Sequence, residues 1–310
     1  MPQFPNAAFA TGVWDFKDLR TSLLGENWPI VSITSGGFQG SVSGYTSGGD
    51  TYNTIDKFSF LADGNATDVG DLTAARLSAA GQSSTTSGYA ASGYNNGTSY
   101  DIIDKFPFAA NANATDVGNL TVSRDGPTGQ SSSTSGYTSG GRAGYDIIDK
   151  FPFASNTNAS DVGDLTQGRY APSGQSSTVS GYTSGGRNPG GLNPIDKFPF
   201  ATDANATDVG DLTVAKARTT GQNSLVSGYV SGNDNTIEKF PFATDANTTD
   251  VGDLTQGRYG AAGQSSTSNG YTSGGASTNV IDKFPFASDA NATDVGDSTT
   301  LGRFRAGQQV

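Results

Sequence analysis

The sequence repeats one pattern six times, and this repeat limits the possible fold more than any other feature. Each copy contains the word Ile-(Asp/Glu)-Lys-Phe, a run close to Asn-Ala-Thr-Asp-Val-Gly-Asp-Leu-Thr, and then Gly-Gln. Its acidic residue is Asp56, Asp104, Asp149, Asp196, Glu238 or Asp282, so successive copies are 42 to 48 residues apart. This period is too long for one helix pair with short loops and fits four short strands, as in one β-propeller blade.

Each repeat also supplies large apolar residues, although the chain is rich in glycine and serine. The copy around Asp56 contains Ile55, Phe58, Phe60, Val69, Leu72 and Tyr89. A disordered linker would lack such a set. We therefore predict one cooperative all-β body in which each blade buries its apolar residues against a neighbour.

Composition excludes several classes of function. The net charge is −11 with no cluster of lysine or arginine, so we expect neither a nucleic-acid partner nor membrane insertion. The chain has no cysteine and no histidine, which excludes thiolate or imidazole metal sites and histidine-dependent triads. Residues 1–9 lack the features of a signal peptide, so if the protein leaves its cell we expect it to leave in an assembly or by lysis.

One copy illustrates the four predicted strands. They cover residues 171–177, Ser180–Ser184, residues 195–200 and residues 208–213. Phe198 and Phe200 are two residues apart on the third strand, so they share one face, which we expect to press on the next blade.

The repeat resembles the kelch repeat over most of the chain. A kelch blade has a di-glycine after its second strand, an aromatic residue shortly before it, and a basic residue that opens the next blade. Here the di-glycines are Gly48-Gly49, Gly140-Gly141, Gly185-Gly186 and Gly274-Gly275. The matching tyrosines are Tyr45, Tyr137, Tyr182 and Tyr271, and the basic residues are Arg76, Arg124, Arg169, Lys216 and Arg258. Because the second and fifth copies lack the di-glycine and Phe replaces the third-strand Tyr, the prediction is a kelch-like propeller.

Six third strands predict six four-stranded blades. We expect the first blade to take its inner strand from residues 33–40 and its second strand from residues 42–47. Residues 303–308 resemble the start of a further inner strand, so the chain ends overlap and some strand exchange at the closure is expected. The alternative is seven blades with a composite closing blade, but no second strand remains to complete it.

The N-terminal segment differs from the repeats. Residues 9–29, which include Trp14 and Trp28, resemble a leader found on structural proteins of marine tailed phages such as cyanophages. We therefore predict an N-terminal arm or docking segment over residues 1–27 and the propeller over residues 28–310. The alternative is an arm that plugs one end of the ring.

Three patterns could carry chemistry but also have structural explanations. The acidic turn with Asp203, Asn205, Asp208 and Asp211 could bind Ca²⁺, but it lacks the EF-hand spacing and fits Asx turns better. Each repeat has an Asn-x-Ser/Thr sequence, which a turn asparagine explains without glycosylation. The tyrosines before the di-glycines could line a sugar groove, but their recurrence favours packing between blades. We predict no metal, no cofactor and no catalytic residues.

Divergence between copies points to one face. The b–c loops, between the second and third strands, vary in length. The d–a loops, between the fourth strand and the next inner strand, vary in sequence, with Asp125-Gly126-Pro127 in one copy and Tyr170-Ala171-Pro172 in another. Both sets of loops emerge on one face. Insertions on one face of a repeat protein often mark its binding face. The predicted binding residues are Tyr94, Tyr100, Arg142, Tyr145, Arg187 and Asn188; drift in exposed loops is the alternative.

The predicted function is that of a non-enzymatic virion structural protein, a phage tail-fibre or appendage component that contacts the host surface. Its expected partners are other virion proteins, through the N-terminal arm, and a host surface glycan or protein. Its expected location is the virion, which assembles in the host cytoplasm. The alternatives are a protein-interaction adaptor propeller and a hydrolase with a site at the ring centre.

Overall fold

The computed structural model describes residues 39–310, which form six four-stranded antiparallel sheets and contain no helix. The six inner strands contact one another in a closed cycle, so the sheets are the blades of a propeller. The predicted fold class and the count of six blades are confirmed. The predicted arm, the leader-like segment and most of residues 33–40 lie outside the described residues.

Each blade follows the order of the chain from its inner to its outer strand, except the first. Blade 1 contains β1 (Ser43–Ser47), β2 (Thr54–Ser59) and β3 (Thr67–Asp71), and blade 2 contains β4 (Ala80–Ser83), β5 (Ser87–Asn95), β6 (Thr98–Pro107) and β7 (Thr115–Asn119). Blade 3 contains β8 (Thr128–Ser131), β9 (Ser135–Ser139), β10 (Ile147–Pro152) and β11 (Ser160–Asp164). Blade 4 contains β12 (Ser173–Ser176), β13 (Ser180–Ser184), β14 (Leu192–Pro199) and β15 (Thr207–Lys216).

Blades 5 and 6 repeat the arrangement, and the last strand closes the ring. Blade 5 contains β16 (Thr220–Asn223), β17 (Ser227–Ser231), β18 (Thr236–Pro241) and β19 (Thr249–Asp253), and blade 6 contains β20 (Ala262–Ser265), β21 (Asn269–Ser273), β22 (Val280–Pro285) and β23 (Thr293–Asp297). The C-terminal strand β24 (Ala306–Gln309) pairs with β1.

The closure corrects one prediction and confirms another. The inner strand of blade 1 is β24, from the C-terminus, and not residues 33–40. The expected overlap of the chain ends is therefore present. The physical reason is that Gly307-Gln308 supplies the Gly-Gln pair of an inner strand, which residues 33–40 lack. Gly40 instead forms a parallel bridge with Ser266, and the Gln39 amide donates to the Asn223 carbonyl oxygen at 2.8 Å.

Six glycines let the inner strands converge. Each occupies the second position of an inner strand, and a Cβ atom there would lie 2.0–2.3 Å from the carbonyl oxygen of the equivalent glycine in the preceding blade. They are Gly81, Gly129, Gly174, Gly221, Gly263 and Gly307. Because the obstructing atom is backbone, no other residue fits without moving a strand.

Aromatic side chains join neighbouring blades. The buried Tyr137 of blade 3 has its ring centroid 5.6 Å from that of Phe198 and 4.8 Å from that of Phe200, both in blade 4. The same contact recurs between every pair of neighbouring blades. Packing between blades is therefore confirmed for the tyrosines. The Phe pair contacts the preceding blade in chain order, whereas the sequence predicted contact with the next blade.

Burial raises the pKa of Tyr45 to about 12, so the phenol stays neutral in the core.

Polar contacts repeat between blades as well. The buried Gln130 amide of blade 3 donates to the Tyr182 carbonyl oxygen of blade 4 at 3.0 Å, and its counterparts complete the ring. At the start of the fourth strand, Asp208 accepts a hydrogen bond from the N–H of Gly210, two residues later, as in an Asx turn. Asn205 differs from the prediction, because its side-chain oxygen accepts from the Asp164 N–H of the preceding blade.

An ion pair is buried in every blade. The N–O distances are 2.6–3.0 Å and join Arg76 with Asp104, Arg124 with Asp149, Arg169 with Asp196, Lys216 with Glu238, Arg258 with Asp282, and Arg305 with Asp56. Each acid also accepts a hydrogen bond from a threonine that follows the fourth strand of the preceding blade or lies within it, for example Thr166 Oγ1 to Asp196 at 2.8 Å. The predicted basic residues thus have one shared role, and Arg305 supplies the sixth.

The axial contact predicts a strong effect of one methyl group. Replacing Gly221 with Ala brings its Cβ within 2.0 Å of the Gly174 carbonyl oxygen, so two blades must separate. We expect a loss of about 3 kcal/mol or more in the free energy of unfolding, at the upper end of the overpacking range. Urea denaturation of the full chain measures the change. Gly64→Ala is the control, because that site has no atom within 4 Å of the added methyl group; equal losses in both variants would contradict the axial constraint.

Candidate ligand-binding site

The b–c and d–a loops meet on one face of the propeller, which we call the loop face. Leu77 of a d–a loop forms an antiparallel bridge with Tyr94 of blade 2, and Tyr170 forms one with Arg187 of blade 4. In blade 3 the Arg142 N–H donates to the Asp125 carbonyl oxygen at 2.8 Å. The two variable sets of loops are therefore neighbours in space.

A closed ring of backbone hydrogen bonds surrounds the propeller axis on the loop face. One d–a loop residue per blade donates its N–H to the carbonyl oxygen of the equivalent residue in the preceding blade, at 2.5–3.1 Å. All six have left-handed backbones with φ between 53° and 68°. We call this set the mouth ring; its members are Ser78, Gly126, Ala171, Arg218, Gly260 and Phe304.

Only two members of the mouth ring are glycine, the residue that adopts a left-handed backbone without a steric penalty. Ala171, Arg218 and Phe304 have φ values of 53°, 62° and 59°. Such a conformation costs about 1–3 kcal/mol per residue and persists where the surroundings enforce it. Retained strain of this kind is typical of functional sites, so the mouth ring is a candidate site on its backbone geometry alone.

The cations of residues 39–310 divide into three sets. Six are buried in the ion pairs described above, and six are the lysines of the Ile-(Asp/Glu)-Lys-Phe words. The remaining four do not belong to the repeat, and all four lie in b–c or d–a loops: Arg142, Arg187, Arg218 and Arg303. Positive charge that the repeat does not require is thus confined to the loop face.

Two of these arginines share one aromatic ring. The Arg142 guanidinium carbon is 5.1 Å from the Tyr170 ring centroid, and that of Arg187 is 5.5 Å from it. Arg142 Nε also pairs with an Asp125 oxygen at 2.9 Å, and Arg187 Nε donates to the Pro189 carbonyl oxygen at 3.3 Å. Cation–π contacts of this kind hold guanidinium groups in place at exposed sites.

The other two arginines flank Phe304. The Arg218 guanidinium carbon is 5.8 Å from the Phe304 ring centroid and 5.3 Å from that of Tyr259. Arg303 lies 5.6 Å from the Phe304 centroid, pairs with Asp50 at 3.1 Å, and donates to the Tyr259 hydroxyl at 3.1 Å. The hydrogen bond to Asp50 raises the pKa of Arg303, with a further contribution from Tyr259.

A cavity of about 210 Å³ joins the two groups. Its lining includes Arg142, Tyr170, Arg218, Arg303 and Phe304. A second cavity of about 120 Å³ lies on the axis beneath the mouth ring and is lined by all six inner strands. The loop face therefore presents guanidinium groups and aromatic rings around one opening.

The predicted binding residues occupy this face unequally. Arg142 and Arg187 meet at Tyr170, and the exposed Asn188 donates from its amide to the Gly168 carbonyl oxygen at 2.7 Å. Tyr94 and Tyr100 were predicted in a long b–c loop, but they lie in the paired strands β5 and β6. These two tyrosines and Tyr145 are half-buried, and none of them lines the 210 Å³ cavity.

Sequence reasoning missed five residues at the site, namely Tyr170, Arg218, Tyr259, Arg303 and Phe304. One signal was available for Arg218, because the other complete repeats have Ser, Gly or Ala at that position.

The acidic turns are occupied by protein contacts. Asp203 pairs with Lys150 at 2.9 Å, and Asp208 accepts from its own turn. Over residues 39–310, no group of three or more Asp or Glu residues is placed to hold a metal ion. No helix in that range has the length and apolarity needed to cross a membrane.

The chain matches no protein-family model, and no curated protein is significantly similar to it.

The strain in the mouth ring predicts that glycine substitutions at its non-glycine positions cost little stability. Ala171→Gly removes the left-handed penalty, offset by the entropy that glycine adds to the unfolded chain, so we expect a gain of up to about 1 kcal/mol in stability. Arg218→Gly also loses two exposed cation–π contacts of about 0.5–1 kcal/mol each, so its stability should change little. Thermal and urea unfolding measure both variants. A loss above about 1 kcal/mol in Ala171→Gly would contradict the strain argument, because the added freedom of the unfolded chain accounts for no more than about that amount.

Proposed function

We propose that this chain is a non-enzymatic, kelch-like virion protein, a phage tail-fibre or appendage component whose loop face contacts the host surface. One observation carries the binding role. Of the four arginines that the repeat does not require, Arg142, Arg218 and Arg303 line one cavity, and Arg187 contacts the Tyr170 ring in its lining. A purely structural ring has no need of them.

The inner strands favour binding over catalysis. Every inner strand has the sequence x-Gly-Gln-x, and the glutamine amides are used in contacts between blades. A hydrolase site at the ring centre would interrupt this repetition with a unique polar cluster. The repeat is interrupted at the loop face instead, and by arginine and aromatic residues, which are enriched at binding surfaces.

The kelch-like assignment is supported by the roles that the motif residues have in the blades. The tyrosines before the di-glycines contact the neighbouring blade, and the basic residues that open each blade are buried in ion pairs. In a stack of repeated blades, a repeated aromatic residue can pack on the neighbouring blade, and a repeated cation can form a buried ion pair.

The virion role is supported by the leader-like sequence of residues 9–29.

Removal of the arm tests the virion role. Deleting residues 1–27 should leave a cooperatively folding propeller that no longer enters particles, because we assign docking to the arm. Immunoblots of purified particles, with the full-length chain supplied in parallel, measure incorporation. Incorporation of the truncated chain at the full-length level would contradict the docking role, and loss of folding would assign the arm to the ring.

Adsorption to host cells tests the binding role. Arg142→Gln with Arg187→Gln should reduce binding of the purified chain about tenfold or more, the loss expected for two charge-assisted contacts. Glutamine keeps a donor for Asp125. The matched control is Lys150→Gln with Lys197→Gln, which removes the same charge from the same two blades away from the loop face. If both double variants lose the same amount of host-cell binding, the effect is one of net charge, and a binding site on the loop face is contradicted.

A further inference from the structure

We propose that the 210 Å³ cavity of the loop face binds an acidic glycan, with the Arg218 guanidinium as the main contact for its carboxylate or sulfate groups. This inference rests on the proposed function and names the class of ligand at the same site.

Arg218 is an oriented cation without an anion. Among residues 39–310 no carboxylate pairs with it, and no acceptor takes a hydrogen bond from its side chain. Its guanidinium lies 5.3 Å and 5.8 Å from the Tyr259 and Phe304 ring centroids. Two aromatic contacts fix its position and leave its N–H groups free. A guanidinium presents these donors as a planar fork that fits a carboxylate or sulfate.

The neighbouring arginines retain unused donors. Arg142 bonds Asp125 through Nε alone, and Arg303 uses Nε for Asp50 and Nη1 for the Tyr259 hydroxyl. The two aspartates offset two of the three charges that line the cavity, so a net positive charge remains. This local sign is opposite to the net charge of −11. An anion is therefore favoured here by short-range contacts, which salt screens less than a long-range field.

The shape and lining favour a sugar. Sugars carry several hydroxyl groups that bond planar polar groups. The lining combines guanidinium groups and backbone with the rings of Tyr170 and Phe304, each of which already contacts two guanidinium groups. A volume of about 210 Å³ is below the range of about 300–1,000 Å³ typical of drug-sized ligands, which fits one sugar unit of a chain. A nucleic acid needs a longer row of cations to follow its phosphates.

Titration calorimetry of the full-length chain tests the ligand class. The probes are an oligogalacturonate, a sulfated galacto-oligosaccharide, a neutral galacto-oligosaccharide of the same length and an oligoglutamate of the same charge. We expect at least one acidic sugar to bind about tenfold or more tightly than the neutral sugar. Absence of that preference, or tighter binding of oligoglutamate than of both acidic sugars, would overturn the proposal.

A matched pair of variants tests the residue. Arg218→Gly should weaken acidic-sugar binding about tenfold or more. Ser277→Gly, the same backbone change at an exposed left-handed residue outside the mouth ring and both cavities, should stay within about twofold. Both should remain folded, with melting temperatures close to that of the wild type. Unchanged affinity in Arg218→Gly would overturn the assignment.

Host-cell adsorption separates this inference from the proposed function. Adsorption that Arg218→Gly leaves intact would overturn the role of Arg218 while the host-binding function stands. Tight binding of acidic sugars by a chain that does not adsorb to host cells would contradict the host-binding function and support the ligand class.

Discussion

The close approach of the six inner strands at the axis determines the rest of the structure. Each strand places a glycine where a Cβ would lie within 2.0–2.3 Å of its neighbour's backbone. At this spacing a glutamine one residue later reaches the carbonyl oxygen of a tyrosine in the next blade, for example from Gln130 to Tyr182 at 3.0 Å. The same spacing sets the distance between sheets that the Tyr and Phe rings fill. The Gly-Gln pair of each repeat therefore sets the spacing of the inner strands around the axis. The closing strand β24 must contain the same pair.

The repeat conserves interactions more strictly than residues. Five blades bury Arg with Asp, whereas blade 5 buries Lys216 with Glu238, so the shorter reach of one partner is matched by the longer reach of the other. Burial alone would raise the pKa of Glu238, but hydrogen bonds from Lys216, Thr248 and Thr213 lower it overall. The last repeat has Gly302 at the position of the earlier basic residues, and Arg305, three residues later, reaches Asp56 instead. A buried pair that loses one partner is strongly destabilising, which explains why both partners change together.

The sequence was sufficient for the fold because the repeat encodes contacts within a blade and between identical neighbours. The second strand Ser180–Ser184 has its predicted limits, and Tyr137 packs between blades as expected. Contacts that depend on how two blades are placed relative to each other could not be predicted from the sequence. Asn205 appeared to be an ordinary turn residue, but its partner is the Asp164 N–H of another blade. The site was predicted in part, since Arg142 and Arg187 follow from loop length, whereas the left-handed backbone of Arg218 has no sequence signature.

The mouth ring shows how a repeat protein can vary in its loops without weakening its core. Twelve of the cations in residues 39–310 have counterparts in every blade. Six of them belong to the buried ion pairs, and six are the lysines of the Ile-(Asp/Glu)-Lys-Phe motif. The d–a loops carry no such constraint beyond one left-handed residue that closes the hydrogen-bonded ring. Glycine meets that requirement in two blades, and Ser, Ala, Arg and Phe meet it in the other four at a local cost in strain. That cost falls on half-buried residues of the d–a loops, outside the glycine axis and the aromatic contacts, so side chains can diverge there while the ring stays closed.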